Sequence, residues 1–296
     1  MSVSELQQPA SSMQEQLERE LIIAARRGLA AAAARRLKLG ASPNAADAAT
    51  GQTALIAAII SGNLQVAGLL LEAGAHVDLR GGEGAAAPIS AAPSPQRSDQ
   101  SSAELAAQLD RLQLEQGGCA TGAPCSRTPL MWAAALRSTE AVQLLLAHEP
   151  QAAVVDLRDS NRCTALHLAI QAGAQLELLQ ALLDAGARPD AADGSGATAL
   201  ALAAEREDRE ATARLLLRQG ASADLPDFAL TTPLMRAAAA GSTGTVRALL
   251  DAGAQQGLLD ASGASALAYA TRSGRREAAE VLSRAAASES KAQCKP

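Results

Sequence analysis

Apolar residues fall along this chain in short clusters that recur. From Thr53 the sequence reads TALIAAIISGNLQVAGLLLEAGA. A threonine opens the stretch, an apolar run follows, and a glycine interrupts it. A second run carries paired leucines and stops at another glycine. The same order returns from Thr128, Thr164, Thr198 and Thr232, and again from Ser265. The starts from 128 onward lie 36, 34, 34 and 33 residues apart. A period near 33 predicts a stacked repeat architecture rather than one central core.

Each unit reads physically as two short helices. The Thr hydroxyl caps the first turn. Pro129 and Pro233 follow directly, where a missing N–H costs nothing. Gly62, Gly173, Gly241 and Gly274 turn the chain. The second helix carries Leu144-Leu145, Leu182-Leu183 or Leu249-Leu250, and Gly40, Gly74, Gly186, Gly220 and Gly253 end such helices. Polar stretches such as DAADGSGA suit tight hairpin turns. Helices this short are marginal alone. Stacking fixes them, at roughly 2 kcal/mol per buried Leu, so the number of repeats is itself a stability argument.

This pattern resembles the ankyrin repeat, two antiparallel helices and a projecting β-hairpin. Its signature is fullest as TALHLA, Thr164 to Ala169, and returns as TPLM at Thr128 and Thr232. The resemblance covers roughly residues 17 to 286. It implies a mostly α fold: an ankyrin-repeat α-solenoid of about eight helix-turn-helix units with short β-hairpin connections. The sequence departs from the family at several points. Ala replaces the motif Pro in several units, and the motif His survives at His167 alone. Arg137 and Glu207 stand where other units place the turn glycine, which implies strain of about 1 kcal/mol if either keeps a positive φ.

The expected domain organisation follows. Residues 1–12 form a disordered tail, 13–286 the repeat domain, and 287–296 a second disordered tail. A degenerate capping repeat spans 13–50; Ser12 and Glu15 have capping-box spacing, and Arg19, Arg26 and Arg27 suit a face that meets water. Residues 85–126 read as a worn repeat. APISAA begins at Ala87, 34 residues after Thr53, and SSAELAAQLDRLQLEQGG would supply a second helix. The Pro- and Ser-rich stretch 93–102 between them is expected to be a mobile loop.

Composition narrows the chemistry. Hydrophobic residues make up 48% of the chain but aromatics only 1%, so the core must be aliphatic and thin. Net charge is −5 and no basic run interleaves with aromatics, which argues against a nucleic-acid partner. The four cysteines, Cys119, Cys125, Cys163 and Cys294, are irregularly spaced and read as reduced thiols, and Cys119 and Cys125 do not match a zinc knuckle. His76, His148 and His167 read as structural, the last as a residue that the resemblance assigns to hydrogen bonds between units. No phosphate loop, dinucleotide-binding glycine pattern or nucleophile elbow occurs. No catalytic, cofactor or metal residues are expected. The first residues lack a secretory pattern, Ser2 excludes myristoylation, and no apolar run reaches membrane-spanning length. The expected location is cytoplasmic or nuclear, without membrane association.

Where, then, would a partner touch? The resemblance places hairpin tips and first helices on one concave face. Residues late in the first helices would face outward: Arg26/Arg27, Ile60/Ser61, Ala135/Leu136, Gln171/Ala172, Glu205/Arg206, Ala239/Ala240 and Arg272/Ser273. The position four residues after the cap, holding Ala57, Trp132, Leu168, Leu202, Arg236 and Tyr269, would border the same groove. Trp132 and Tyr269 share that position and Phe228 falls at a hairpin tip, so every aromatic residue lands on the expected groove. Trp, Tyr and Arg are enriched at binding hot spots. The expected partner-binding residues are Trp132, Leu136, Ile60, Gln171, Arg206, Phe228, Arg236, Tyr269 and Arg272, with packing of Trp132 between units as the competing reading.

The function expected is a non-enzymatic, monomeric scaffold that binds another protein or an extended peptide with acidic and apolar residues. The alternative is a substrate-recognition adaptor of a larger assembly such as a ubiquitin ligase. An enzyme would need a catalytic constellation, and the sequence offers none.

Overall fold

The structure, a computed structural model, describes residues 8–47, 50–81, 126–148 and 155–293. These contain fourteen α-helices, one 3-10 helix and no strand longer than an isolated bridge. The chain divides into two compact units, Met1–Asn161 and Arg162–Pro296. No helix among the described residues is long and apolar enough to cross a membrane.

The first unit holds α1 (Gln8–Arg26), α2 (Ala30–Lys38), α3 (Ala54–Ile60), α4 (Leu64–Glu72), α5 (Pro129–Ala135) and α6 (Thr139–His148). First helices pack in sequence, α1 on α3 and α3 on α5. Second helices do the same, α2 on α4 and α4 on α6. The second unit repeats the plan with α7 (Ala165–Ala172), α8 (Leu176–Asp184), α9 (Ala199–Ala204), the 3-10 turn Glu207–Arg209, α10 (Glu210–Arg218), α11 (Pro233–Ala240), α12 (Thr243–Asp251), α13 (Ala266–Arg272) and α14 (Arg276–Gln293). There α7, α9, α11 and α13 form one row and α8, α10, α12 and α14 the other. Each helix therefore leans on its pair mate and its neighbours in the row, and on no common centre.

Local chemistry sets these boundaries. The Oγ1 atoms of Thr53, Thr128, Thr198 and Thr232 accept from the backbone N–H three residues on, at 3.3–3.4 Å. The first helices α3, α5, α7, α9 and α11 are only six to eight residues long, and most of their residues are buried. Alanine lets such helices approach closely on both sides, which explains a core with almost no rings. Every residue from Ala165 to Ile170 is buried.

The hairpins between units are held by aspartates more than by strands. Asp193, Asp227 and Asp260 stand five residues before Thr198, Thr232 and Ser265. Their Oδ1 atoms accept from Ser195 and Ala197, from Ala229 and Thr231, and from Ser262 and Ala264 backbone N–H groups at 2.8–3.0 Å. Two residues before the caps Thr53, Thr164, Thr198, Thr232 and Ser265 the backbone is left-handed. Gly51, Gly196 and Gly263 occupy that site, but so do Arg162 at φ 59° and Leu230 at φ 60°.

Three expectations change, and a fourth falls outside the described residues. The described residues form seven of the eight expected helix pairs. The expected repeat at 85–126 and its loop at 93–102 lie almost wholly outside the described residues. Their flanks, however, are in direct contact: α3 packs on α5, and the Gly81 N–H donates to the Arg127 carbonyl at 3.1 Å. The first helix starts at Gln8 rather than near residue 13, because Pro9 in its first turn forfeits no helical hydrogen bond. The last helix runs on to Gln293, beyond the expected end at 286. Finally, Arg137 does keep the left-handed turn, at φ 60°, while Glu207 avoids it by opening the 3-10 turn.

Candidate partner-binding surfaces

In the second unit, the position four residues after the cap meets the hairpin that precedes it. The Arg236 guanidinium reaches Asp227 Oδ2 at 2.5 Å and pairs also with Glu205. Tyr269 Oη donates to Asp260 Oδ2 at 2.6 Å. Asp227 and Asp260 thus each spend one oxygen on their own loop and the other on the helix behind it. Burial pulls the Arg236 guanidinium below its ordinary range, while nearby Asp193 and Tyr269 act the other way. The Tyr269 hydroxyl, with the Ala264 N–H and the Ser262 side chain, holds the Asp260 carboxyl well below the usual carboxylate range. Arg236 and Tyr269 are half-buried and tie hairpins down, a role that the groove assignment did not foresee.

The residues late in the first helices are more open. Gln171, Glu205, Arg206 and Arg272 are exposed, in contrast to the buried faces behind them. Arg206 meets Asp208 at 3.6 Å, both well exposed. Arg272 lies over the Tyr269 ring, 4.7 Å from its centroid. Phe228 is 72% exposed at the tip of its hairpin. Phe228 adjoins Asp227, and so lies beside the Arg236–Glu205 cluster; Tyr269 and Arg272 gather at the next hairpin.

The first unit holds the other assigned residues. Ile60 ends α3, Leu136 caps the end of α5, and Trp132 stands one turn before Leu136 on α5; all three are half-buried. The Arg127 guanidinium covers the Trp132 ring at 5.3 Å from its centroid and approaches Asp159 at 3.5 Å. Trp132 Nε1 is buried without a hydrogen-bond partner. The repeat register explains this orphan. In place of the aspartate nine residues upstream that serves Arg236 and Tyr269, the sequence has Ala123. Of the other residues at this position, Ala57 and Leu168 are buried and border no open groove.

His167 is fully buried. Its Nε2 donates to the Ala197 carbonyl at 3.3 Å, and its Nδ1 accepts from Thr164 Oγ1 at 2.8 Å. One ring therefore caps its own helix and binds the next hairpin, as the resemblance implied. Among the described residues no group of three or more His, Cys, Asp or Glu converges on a point that could hold a metal ion.

Sequence reasoning missed several residues. Leu225, Leu230, Leu259 and Leu267 are exposed leucines of the second unit, and three of them belong to hairpin connections. Leu230 carries a legible signal, since it stands where other units have glycine. Arg209 was also missed. It is buried, and its Nη1 donates to the Ile170 carbonyl at the end of α7.

Comparison with known proteins agrees with this geometry. The family model described as ankyrin repeats in three copies matches residues 103–193, 173–260 and 200–292. The single ankyrin-repeat model matches residues 50–82. Among solved structures, the crystal structure of the ankyrin repeat domain of Bcl-3, described as a unique member of the IkappaB protein family, is similar at a TM-score of 0.67 and 24% identity, covering 89% of this chain and 97% of that one. No curated protein matches the sequence. Ankyrin repeats are, in general, modules of protein–protein interaction. With matches over most of its length and the helix pairs to go with them, this chain belongs to the ankyrin-repeat family.

Proposed function

We propose that the chain is a non-catalytic scaffold that holds an extended segment of a partner protein along the first helices and hairpins of 162–296. The observation that carries this reading is the contrast along that row. The helices α7 and α9 are buried over most of their length, yet the chain opens at Gln171 and at Glu205 and Arg206 beyond them, and α13 is exposed at Arg272. The hairpin aspartates lock the loops beside this row, so the surface is formed before a partner arrives. A pre-formed surface loses little entropy on binding. Glu205 is already paired with Arg236 and Arg206 meets the exposed Asp208, so the cation left open on this row is Arg272. That supports an acidic segment as the bound chain. The residues Trp132, Leu136 and Ile60 would form a separate contact on the first unit. The expected cytoplasmic or nuclear location fits such a role.

The test is selection of a displayed random-peptide library on the full chain, repeated with the Arg206→Glu/Arg272→Glu double variant. Acid-rich peptides should be enriched by the natural chain and lost with the variant. Enrichment of the same peptides by both proteins would refute the groove reading.

A further inference from the structure

Resting on that reading, we propose that the hairpin tip at Phe228 and Leu230 is the apolar anchor of the binding surface, and that its occupant is an extended segment of another protein carrying an apolar side chain next to acidic ones. Leu230 is the first observation. Its backbone sits at φ 60°, where Gly51, Gly196 and Gly263 take the same left-handed conformation in other units. A β-carbon is disfavoured there. Leu230 gains no core in return, since it is 51% exposed. Backbone strain kept at an exposed apolar side chain points to a use outside the fold.

Phe228 is the second observation. It is open to solvent but not loose. Its N–H donates to the Ser195 carbonyl at 3.1 Å, and its ring rests against Gly196, where an added β-carbon would come within 2.7 Å of Cδ1. The ring is therefore held ready in one position. Leu259, 56% exposed, belongs to the next hairpin, which is tied to this one by the Ala261 N–H donating to the Ala229 carbonyl at 3.1 Å. An exposed apolar cluster on fixed loops is unusual on a surface that has no partner.

Charge names the rest of the occupant. The carboxylates beside the tip are spent: Asp227 on Arg236 and its own loop, Asp260 on Tyr269 and its own loop. From the second hairpin a chain of contacts leads through Tyr269 to the exposed Arg272. An extended segment crossing from the tip toward the end of α13 thus passes from apolar contact to an open cation, Arg272. Acidic residues beside an apolar one satisfy both.

The test uses the full chain and labelled synthetic peptides with a Leu-Phe pair followed by glutamates, read by fluorescence polarisation. Control peptides replace the pair with serines or the glutamates with lysines. The acidic–apolar peptide should bind, and each control should bind at least about tenfold more weakly. Phe228→Ser and Leu230→Gly should each weaken binding by about tenfold or more, while thermal melts show Leu230→Gly at least as stable as the natural chain. Binding by both variants within about twofold of the natural chain would overturn the anchor and leave the groove reading standing. Failure of every peptide to bind would overturn both. Self-association in sedimentation, abolished by Phe228→Ser, would make a second copy the occupant and overturn the proposal.

Discussion

Replacing Arg137 by glycine should stabilise the protein, and the same replacement at Glu207 should destabilise it. In the sequence the two residues look alike, since each stands where other units carry the turn glycine. In the structure they differ. Arg137 holds φ 60° at the end of α5, with its N–H bonded to the Ala134 carbonyl at 3.1 Å, and its side chain is exposed. A non-glycine residue there costs about 1–2 kcal/mol. Glycine relieves that cost but loses about 0.5–1 kcal/mol more chain entropy on folding. The net gain for Arg137→Gly is roughly 0.5–1 kcal/mol. Glu207 opens a 3-10 turn instead, and no left-handed strain exists there to relieve. Glycine at that site costs about 1 kcal/mol. It also gives up the exposed ion pair to Arg275 at 3.1 Å, worth at most about 1 kcal/mol. Glu207→Ala removes the same pair without the glycine and isolates the backbone effect. Urea unfolding measures both, followed by Trp132 fluorescence for the first unit and by circular dichroism for the second. Equal signs for Arg137→Gly and for Glu207→Gly relative to Glu207→Ala would refute the assignment of strain.

Other predictions follow from named contacts. His167→Ala should cost about 1–3 kcal/mol, since it strips the Thr164 cap and takes one of two hydrogen bonds from the buried Ala197 carbonyl, which keeps the Asp193 N–H; a loss under about 0.5 kcal/mol would contradict that role. Arg209→Met should cost about 1.5–3 kcal/mol by removing the charged donor from the Ile170 carbonyl. Tyr269→Phe should raise the Asp260 carboxyl toward its ordinary value, seen by NMR titration. The sign for stability follows from a depressed carboxyl. Its contribution is present above the unfolded value of about 3.9 and is lost as pH falls toward the folded value. The natural chain should therefore show the steeper acid loss and the variant the shallower one.

The repeat itself was legible because its markers act locally. Thr caps, Pro at the first helical position, turn glycines and paired leucines each fix backbone or burial within one unit, and their recurrence reports the stacking. His167 was legible for the same reason. Features that arise between units were less visible. The adjacency of α3 and α5 was hidden because the repeat spacing places APISAA and the leucines after Ser101 between them in the sequence. The role of Arg236 and Tyr269 as hairpin ties depends on side-chain length and on the second oxygen of an aspartate nine residues away. That pairing repeats in the sequence but has no apolar period to announce it. Glu207 escaped strain through a local 3-10 turn, which identity at one position does not reveal. Leu230 was readable in principle as a bulky residue at a glycine site, and passed unnoticed beside the more conspicuous Phe228.

The measurement that bears most directly on the account is amide hydrogen exchange of the full chain, free and with a selected peptide bound. The account predicts added protection at the ends of the first helices, near 171–172, 205–206 and 272–273, and at the hairpin 227–231, with the second helices α8, α10 and α12 unchanged. Protection confined to those second helices would contradict it.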